Sequence, residues 1–247
     1  MVQPWQRNTV LGVDALLAFV AALIALRLSG DLVRRWRSRR APELAAWAGG
    51  LGAYAIAAAA LAWGSAAGWS DAAFRLYYLG GALLTAALLG AGSLLLVRRR
   101  WAGPLALAYT GLAIGIAVAT PLQTDLSGTG IPDAQDVLDL WPARILAILG
   151  NSLGTLAVVA VALLTFRARP VGNLLILAGI AVAGIGSGLA GLGVGALAPA
   201  IVVAALLLYA GFVAPTSLPK PHRPEHDDHE QGERRLDDRA GNPSVRH

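Results

Sequence analysis

Residues 74–100 read FRLYYLGGALLTAALLGAGSLLLVRRR: an arginine and two tyrosines precede an apolar run that closes on three arginines. From Leu76 to Val97 the run holds 22 residues without a charge. At 1.5 Å of rise per residue, a helix of that length spans the roughly 30 Å hydrocarbon core of a bilayer. Arginines flanking such a run set its orientation in the membrane.

Comparable runs lie on both sides, so apolar helices are expected at 9–28, 43–63, 73–97, 102–120, 143–166, 171–190 and 196–214. Their connections alternate in charge. RRWRSRR (34–40), RRR (98–100) and RAR (167–169) follow the first, third and fifth helices. GSAAGWSDAA, PLQTDLSGTGIPDAQDVLDLWP and GLGVG separate the other pairs and contain neither lysine nor arginine. The positive-inside rule then puts the N-terminus outside and the C-terminus in the cytoplasm. Ten arginines in the inner connections oppose Arg7, Arg75 and Arg144 near the outer face. The expected fold is all-α, a polytopic transmembrane bundle of seven helices over 1–214 in the plasma membrane. From Pro215 the chain is too polar and proline-rich to bury a core, and 215–247 reads as a disordered cytoplasmic tail.

Composition agrees with a bilayer environment. Of the 247 residues 56% are hydrophobic and 14% charged, against roughly 25% charged in soluble domains. A soluble helical protein would need polar faces that these runs lack. The net charge of +5 resides in short clusters between apolar runs, which is a topogenic pattern and excludes a nucleic-acid reading. RRWRSRR also faces anionic lipid, a role that its topogenic one already covers. Arg7 is the one charge before the first run, so that segment is expected to stay as a helix and not be removed as a signal peptide. Nineteen of the twenty basic residues are arginine, a bias of high-GC bacterial genomes.

Several chemistries are excluded by residue usage. The chain has no cysteine, no histidine before His222, no methionine after Met1 and one lysine, Lys220. That removes disulfides and thiolate sites, axial His or Met ligation of haem, membrane-embedded histidine catalysis and a Schiff-base lysine within the apolar region. No cofactor and no enzymatic activity are expected.

Ionisable residues inside a membrane cost about 2.5–3.5 kcal/mol at its centre and are the first candidates for function. Asp14 lies inside the first helix, Arg75 and Arg144 at the outer starts of the third and fifth. Arg144, Ile148, Asn151 and Thr155 share one helix face, expected to point into the bundle. Tyr78 shares a face with Arg75, and Asp71 is an i,i+4 partner for it. Asp14, Arg75, Tyr78, Arg144 and Asn151 therefore outline one outward-opening polar pocket. The competing reading makes Arg75 and Arg144 snorkelling anchors, with Tyr77 and Tyr78 in the aromatic belt. Glu43 begins the second helix and is read as structural.

The remaining features carry less chemistry. Asp125, Asp133, Asp136 and Asp139 lack the alternation and closing glutamate of an EF-hand, and PDAQDVLDL (132–140) reads as a short surface helix. His222, His226 and His229 sit in the polar tail, too loosely held to make a zinc site, so no metal is expected. Gly111/Gly115, Gly150/Gly154, Gly184/Gly188 and Gly191/Gly195 have the small-xxx-small spacing that lets helices pack closely, here expected within one chain.

FRLYYLGGALLTAALLGAGSLLLV with RRR, and PLQ…GIPDAQDVLDLWPARILAILGNSLGTL, resemble a group of uncharacterised seven-helix membrane proteins of high-GC bacteria over most of 9–214. The pattern W…F.L.YLG is similar to seven-helix sensory regions that precede kinase domains in bacterial receptors. These resemblances imply a seven-helix membrane domain and, for the second, sensing. The expected role is a non-catalytic sensor or interaction protein whose partners are the lipid bilayer and a protein bound through the tail or inner loops. The alternative is a transporter or exporter of a small, largely apolar compound.

Overall fold

The computed structural model describes residues 4–122, 132, 141–191 and 197–214. The chain divides after Ala214, and Pro215–His247 lies outside the described residues, as do the tail histidines and nearly all of the 123–140 connection. Seven helices are found among the described residues: α1 (Pro4–Arg39), α2 (Pro42–Ala67), α3 (Asp71–Leu96), α4 (Ala102–Ala119), α5 (Trp141–Leu164), α6 (Pro170–Gly191) and α7 (Leu197–Val213). Five are long and apolar enough to cross a membrane: α2, α3, α4, and the Ala15–Arg39 and Pro142–Leu164 stretches of α1 and α5. The apolar stretches of α6 and α7, Pro170–Gly186 and Pro199–Gly211, are shorter.

The helix ends follow local chemistry. Pro42 and Pro170 open α2 and α6, where a missing N–H costs nothing. Ser70 caps α3 by accepting the Ala73 N–H at 3.3 Å, and Asp71 follows in the first turn. Gly68, at φ 95°, ends α2. Both ends of α1 differ from expectation: it begins at Pro4 instead of residue 9 and continues through RRWRSR to Arg39 instead of ending near residue 28. Arginine and tryptophan do not break helices, and basic residues at a C-terminus favour its partial negative charge.

The packing is inverted relative to a soluble protein. Small residues line the interior, with Ala18, Ala21 and Ala113 fully buried, while Leu107 and Val118 are 77% and 72% exposed. Large apolar side chains pointing outward suit a lipid solvent, and small residues between helices let backbones approach. Helix α3 is central, packing on α2, α4 and α5; α1 packs on α2 and α7, and α6 and α7 form an adjoining pair. At the α3–α5 crossing, a Cβ added to Gly90 would stand 2.6 Å from the Gly154 Cα. Gly150 and Gly154 thus do the intramolecular packing expected of them. Gly111, Gly115 and Gly184 do not, because a Cβ at each meets nothing within 4 Å.

The middle of α3 is not an α-helix. Tyr78–Thr85 is π-helical, between α-helical Asp71–Tyr77 and Ala86–Leu96. Gly80 sits in this wider turn against α2, where a Cβ would collide with the Ala53 carbonyl oxygen and stand 3.1 Å from the Ala57 Cβ. Helix contact at that distance requires glycine.

Candidate functional site

The polar groups of α3, α4 and α5 form a seam running from one end of the bundle toward its middle. At the end, Arg75 extends from α3 to the last turn of α4. Its Nη1 donates to the carbonyl oxygens of Ala117, Val118 (3.3 Å) and Thr120 (2.9 Å). Those carbonyls have no intrahelical donors, and a cation there also meets the negative end of the helix dipole. Thr120 is buried, and its hydroxyl donates to the Ile116 carbonyl at 2.7 Å. Among the described residues Arg75 has no ion pair with Asp71; the one ion pair there joins Arg34 and Asp31. The expected Asp71 partnership is replaced because a carbonyl cluster buried beside Arg75 needs donors more than a first-turn carboxylate does.

A cavity of about 10 Å³ lies beside this clasp, lined by Arg75, Tyr78, Ile116, Ala117, Thr120 and Ala143 with Phe74. It has room for about one water molecule. Aromatic residues wall that end of the bundle: Trp69 meets Tyr77 edge-on at 5.4 Å, and Phe74 stacks on Tyr78 at 6.2 Å. Trp69 is 6% exposed and its indole N–H has no hydrogen-bond partner among the described residues.

Deeper in the seam, side chains bond carbonyls of the π turn. Thr85 Oγ1 donates to the Gly80 carbonyl at 2.6 Å, and Asn151 Nδ2 of α5 donates to that of Ala82 at 2.9 Å. The Tyr109 hydroxyl of α4 lies 2.9 Å from the Leu83 carbonyl and 3.0 Å from that of Leu146 on α5. A backbone carbonyl in hydrocarbon needs such a donor, because water does not supply one. The π turn is therefore tied to both neighbouring helices.

The five candidate residues divide as follows. Arg75 and Tyr78 line the same cavity, and Arg144 lies in electrostatic reach of Tyr78 while its side chain is exposed. Asn151 belongs to the seam but not to the cavity lining; it bonds Ala82, one turn beyond Tyr78. Asp14 is on α1, and its side chain lies outside the described residues. The expected inward face of α5 is corrected at Arg144 and Ile148, while Asn151 and Thr155 of that face are half-buried. Ala143, Leu146, Ala147, Gly150 and Gly154 are buried, whereas Arg144 and Ile148 are exposed. Close approach of α5 to α3 selects the face with the smallest residues, not the most polar one.

Three seam residues were not singled out from sequence: Thr85, Tyr109 and Thr120. Their signal was present, since each is a hydroxyl within or at the end of an otherwise apolar run. What hydropathy does not carry is the π turn whose carbonyls Thr85 and Tyr109 bond. Among the described residues no group of three His, Cys, Asp or Glu is placed to hold a metal ion. Comparisons with protein-family models, curated proteins and solved structures yield no match to this chain.

Proposed function

We propose that this chain is a multi-pass plasma-membrane protein of seven spans, N-terminus outside and C-terminus cytoplasmic, acting without catalysis as a sensor or interaction protein. The observation that carries the reading is the Arg75 clasp. One α3 side chain holds the end of α4 beside a cavity of about 10 Å³. A small acceptor-bearing molecule arriving at this end competes with the α4 carbonyls for Arg75. Releasing α4 loosens Tyr109, and with it the π turn and α5. Ligand occupancy at the outer face is thereby converted into relative movement of three helices, with an inner-face partner as the receiver.

The seven-span reading is supported by the lengths of α6 and α7, 22 and 17 residues, within the roughly 17–25 that span a bilayer. The same topology places all three arginine-rich connections on one side.

Native mass spectrometry of the protein released from nanodiscs, with crosslinking through the inner connections, tests the proposal. A retained small molecule or one stoichiometric protein partner is the expected result. Saturable uptake of a solute into proteoliposomes, abolished by Arg144→Ala, would replace it with the second reading, transport of a small, largely apolar compound. One observation favours transport: helical irregularity at membrane depth, here Tyr78–Thr85, is a recurrent feature of transporter sites.

A further inference from the structure

The turns that close α1 and α3 share an unusual backbone. Arg40 has φ 53° and Arg98 φ 63°, the two non-glycine residues at positive φ among those described. This left-handed conformation at a helix C-terminus normally selects glycine, because a Cβ there costs roughly 1–2 kcal/mol. Topogenesis needs positive charge near this membrane face and is satisfied by Arg34, Arg35, Arg37 and Arg39 without a strained residue. An arginine kept at a position that favours glycine calls for a reason tied to that place.

The two turns lie at the same end of the α2–α3 pair. Helix α2 packs on α3 so closely that a Cβ at Gly92 would stand 2.6 Å from Trp47 Nε1. Counting from that contact, α2 begins five residues before Trp47 and α3 ends four residues after Gly92. The turns therefore lie at a similar level, one before the start of α2 and one after the end of α3. Arg40, Arg98, Arg99 and Arg100 are all exposed there, and none is in an ion pair among the described residues. Trp36 stacks under the Arg40 guanidinium at 5.8 Å, and Trp101 is 57% exposed beside Arg100. Guanidinium groups flanked by indoles at helix ends match the phosphate and glycerol level of a bilayer.

We propose that the Arg40 and Arg98 turns form a binding site for the headgroup of an anionic phospholipid, independent of the seam at α3–α5. Arg40 and Arg98 contact the phosphate, and the indoles of Trp36 and Trp101 lie along the glycerol and upper acyl chain.

The test uses the full chain in phosphatidylcholine nanodiscs with and without phosphatidylglycerol, scoring the phosphatidylglycerol retained on the released protein by native mass spectrometry. Arg40→Gly/Arg98→Gly suits its backbone better than the native pair, so its thermal stability in pure phosphatidylcholine is expected to be equal or higher. Its phosphatidylglycerol retention is expected to fall about 30-fold. Arg35→Gln/Arg37→Gln removes the same charge from exposed positions on α1 and is expected to retain the lipid. Equal losses in both variants would mean diffuse charge attraction and would overturn the site, as would no loss in either. Equal protection of the wild type by inorganic phosphate would also overturn it, since the occupant would then not be a lipid.

Discussion

Gly90 of α3 and Gly154 of α5 meet backbone to backbone, and a Cβ on Gly90 would stand 2.6 Å from the Gly154 Cα. Neither helix has slack at this crossing, since Gly154 in turn abuts the Ala86 carbonyl. Gly90→Ala and Gly154→Ala are each expected to destabilise by about 1–3 kcal/mol through overpacking. Gly111→Ala and Gly115→Ala share the same sequence spacing but face open space. Those two are expected to be neutral, or to stabilise by up to about 1 kcal/mol through helix propensity. Denaturant titration of the four variants in one detergent checks the contrast; a neutral Gly154→Ala would refute the close crossing.

The Arg75 clasp makes a second prediction, in which charge alone does not suffice. Arg75→Ala is expected to cost about 1.5–3 kcal/mol, the range for hydrogen bonds to a charged group. Arg75→Lys keeps the charge, but its shorter stem does not bring the ammonium to where Nη1 stands, so it should recover less than half of that. Asp71→Asn should change stability by less than about 0.5 kcal/mol, because Asp71 has no ion pair with Arg75. Hydrogen exchange at Val118–Thr120 should quicken in Arg75→Ala and stay unchanged in Asp71→Asn. A destabilised Asp71→Asn would restore the carboxylate partnership.

Tyr109 and Asn151 hold neighbouring carbonyls, Leu83 and Ala82, on one π turn. Tyr109→Phe and Asn151→Leu are each expected to cost about 0.6 kcal/mol and at most about 1.7, as for other hydrogen bonds between membrane helices. Because both tie down the same turn, their double-mutant cycle should show a coupling of at least about 0.5 kcal/mol. Additive losses would mean that the π turn is held by the backbone alone.

The sequence was most legible where hydropathy and punctuation coincide. Pro42, Ser70 with Asp71, and Pro170 fix helix starts to within two residues of those expected. It was least legible where a helix's environment decides between equivalent patterns. Arg34–Arg39 carry charge and so read as a loop, but a helix tolerates charge at its C-terminus. The Arg144–Ile148–Asn151 line reads as the inward face, yet Arg144 and Ile148 are exposed, and Gly154 makes the close approach to α3 while Asn151 bonds it. Arg75 looks like a partner for Asp71 four residues away, whereas its actual acceptors are carbonyls 42–45 residues distant. Backbone acceptors leave no mark in a sequence, so neither this clasp nor the π turn it adjoins was readable from it.

Orientation and span count follow from one further experiment, because the chain contains no cysteine and is its own labelling background. Ala72 and Pro121 are exposed at the connections expected outside, Ser38 and Ala168 at those expected inside. Single cysteines at Ala72 and Pro121 should react with a membrane-impermeant maleimide in intact spheroplasts. Cysteines at Ser38 and Ala168 should react only after lysis. The position that decides the count is Ser244. If α6 and α7 each cross, two passages separate Ala168 from Ser244, and Ser244→Cys is protected in intact spheroplasts as Ala168→Cys is. If the Pro170–Gly186 and Pro199–Gly211 stretches together make one passage, Ser244→Cys labels from outside while Ala168→Cys does not. That result would leave six spans, put the 215–247 tail outside, and end its candidacy as the contact for a cytoplasmic partner.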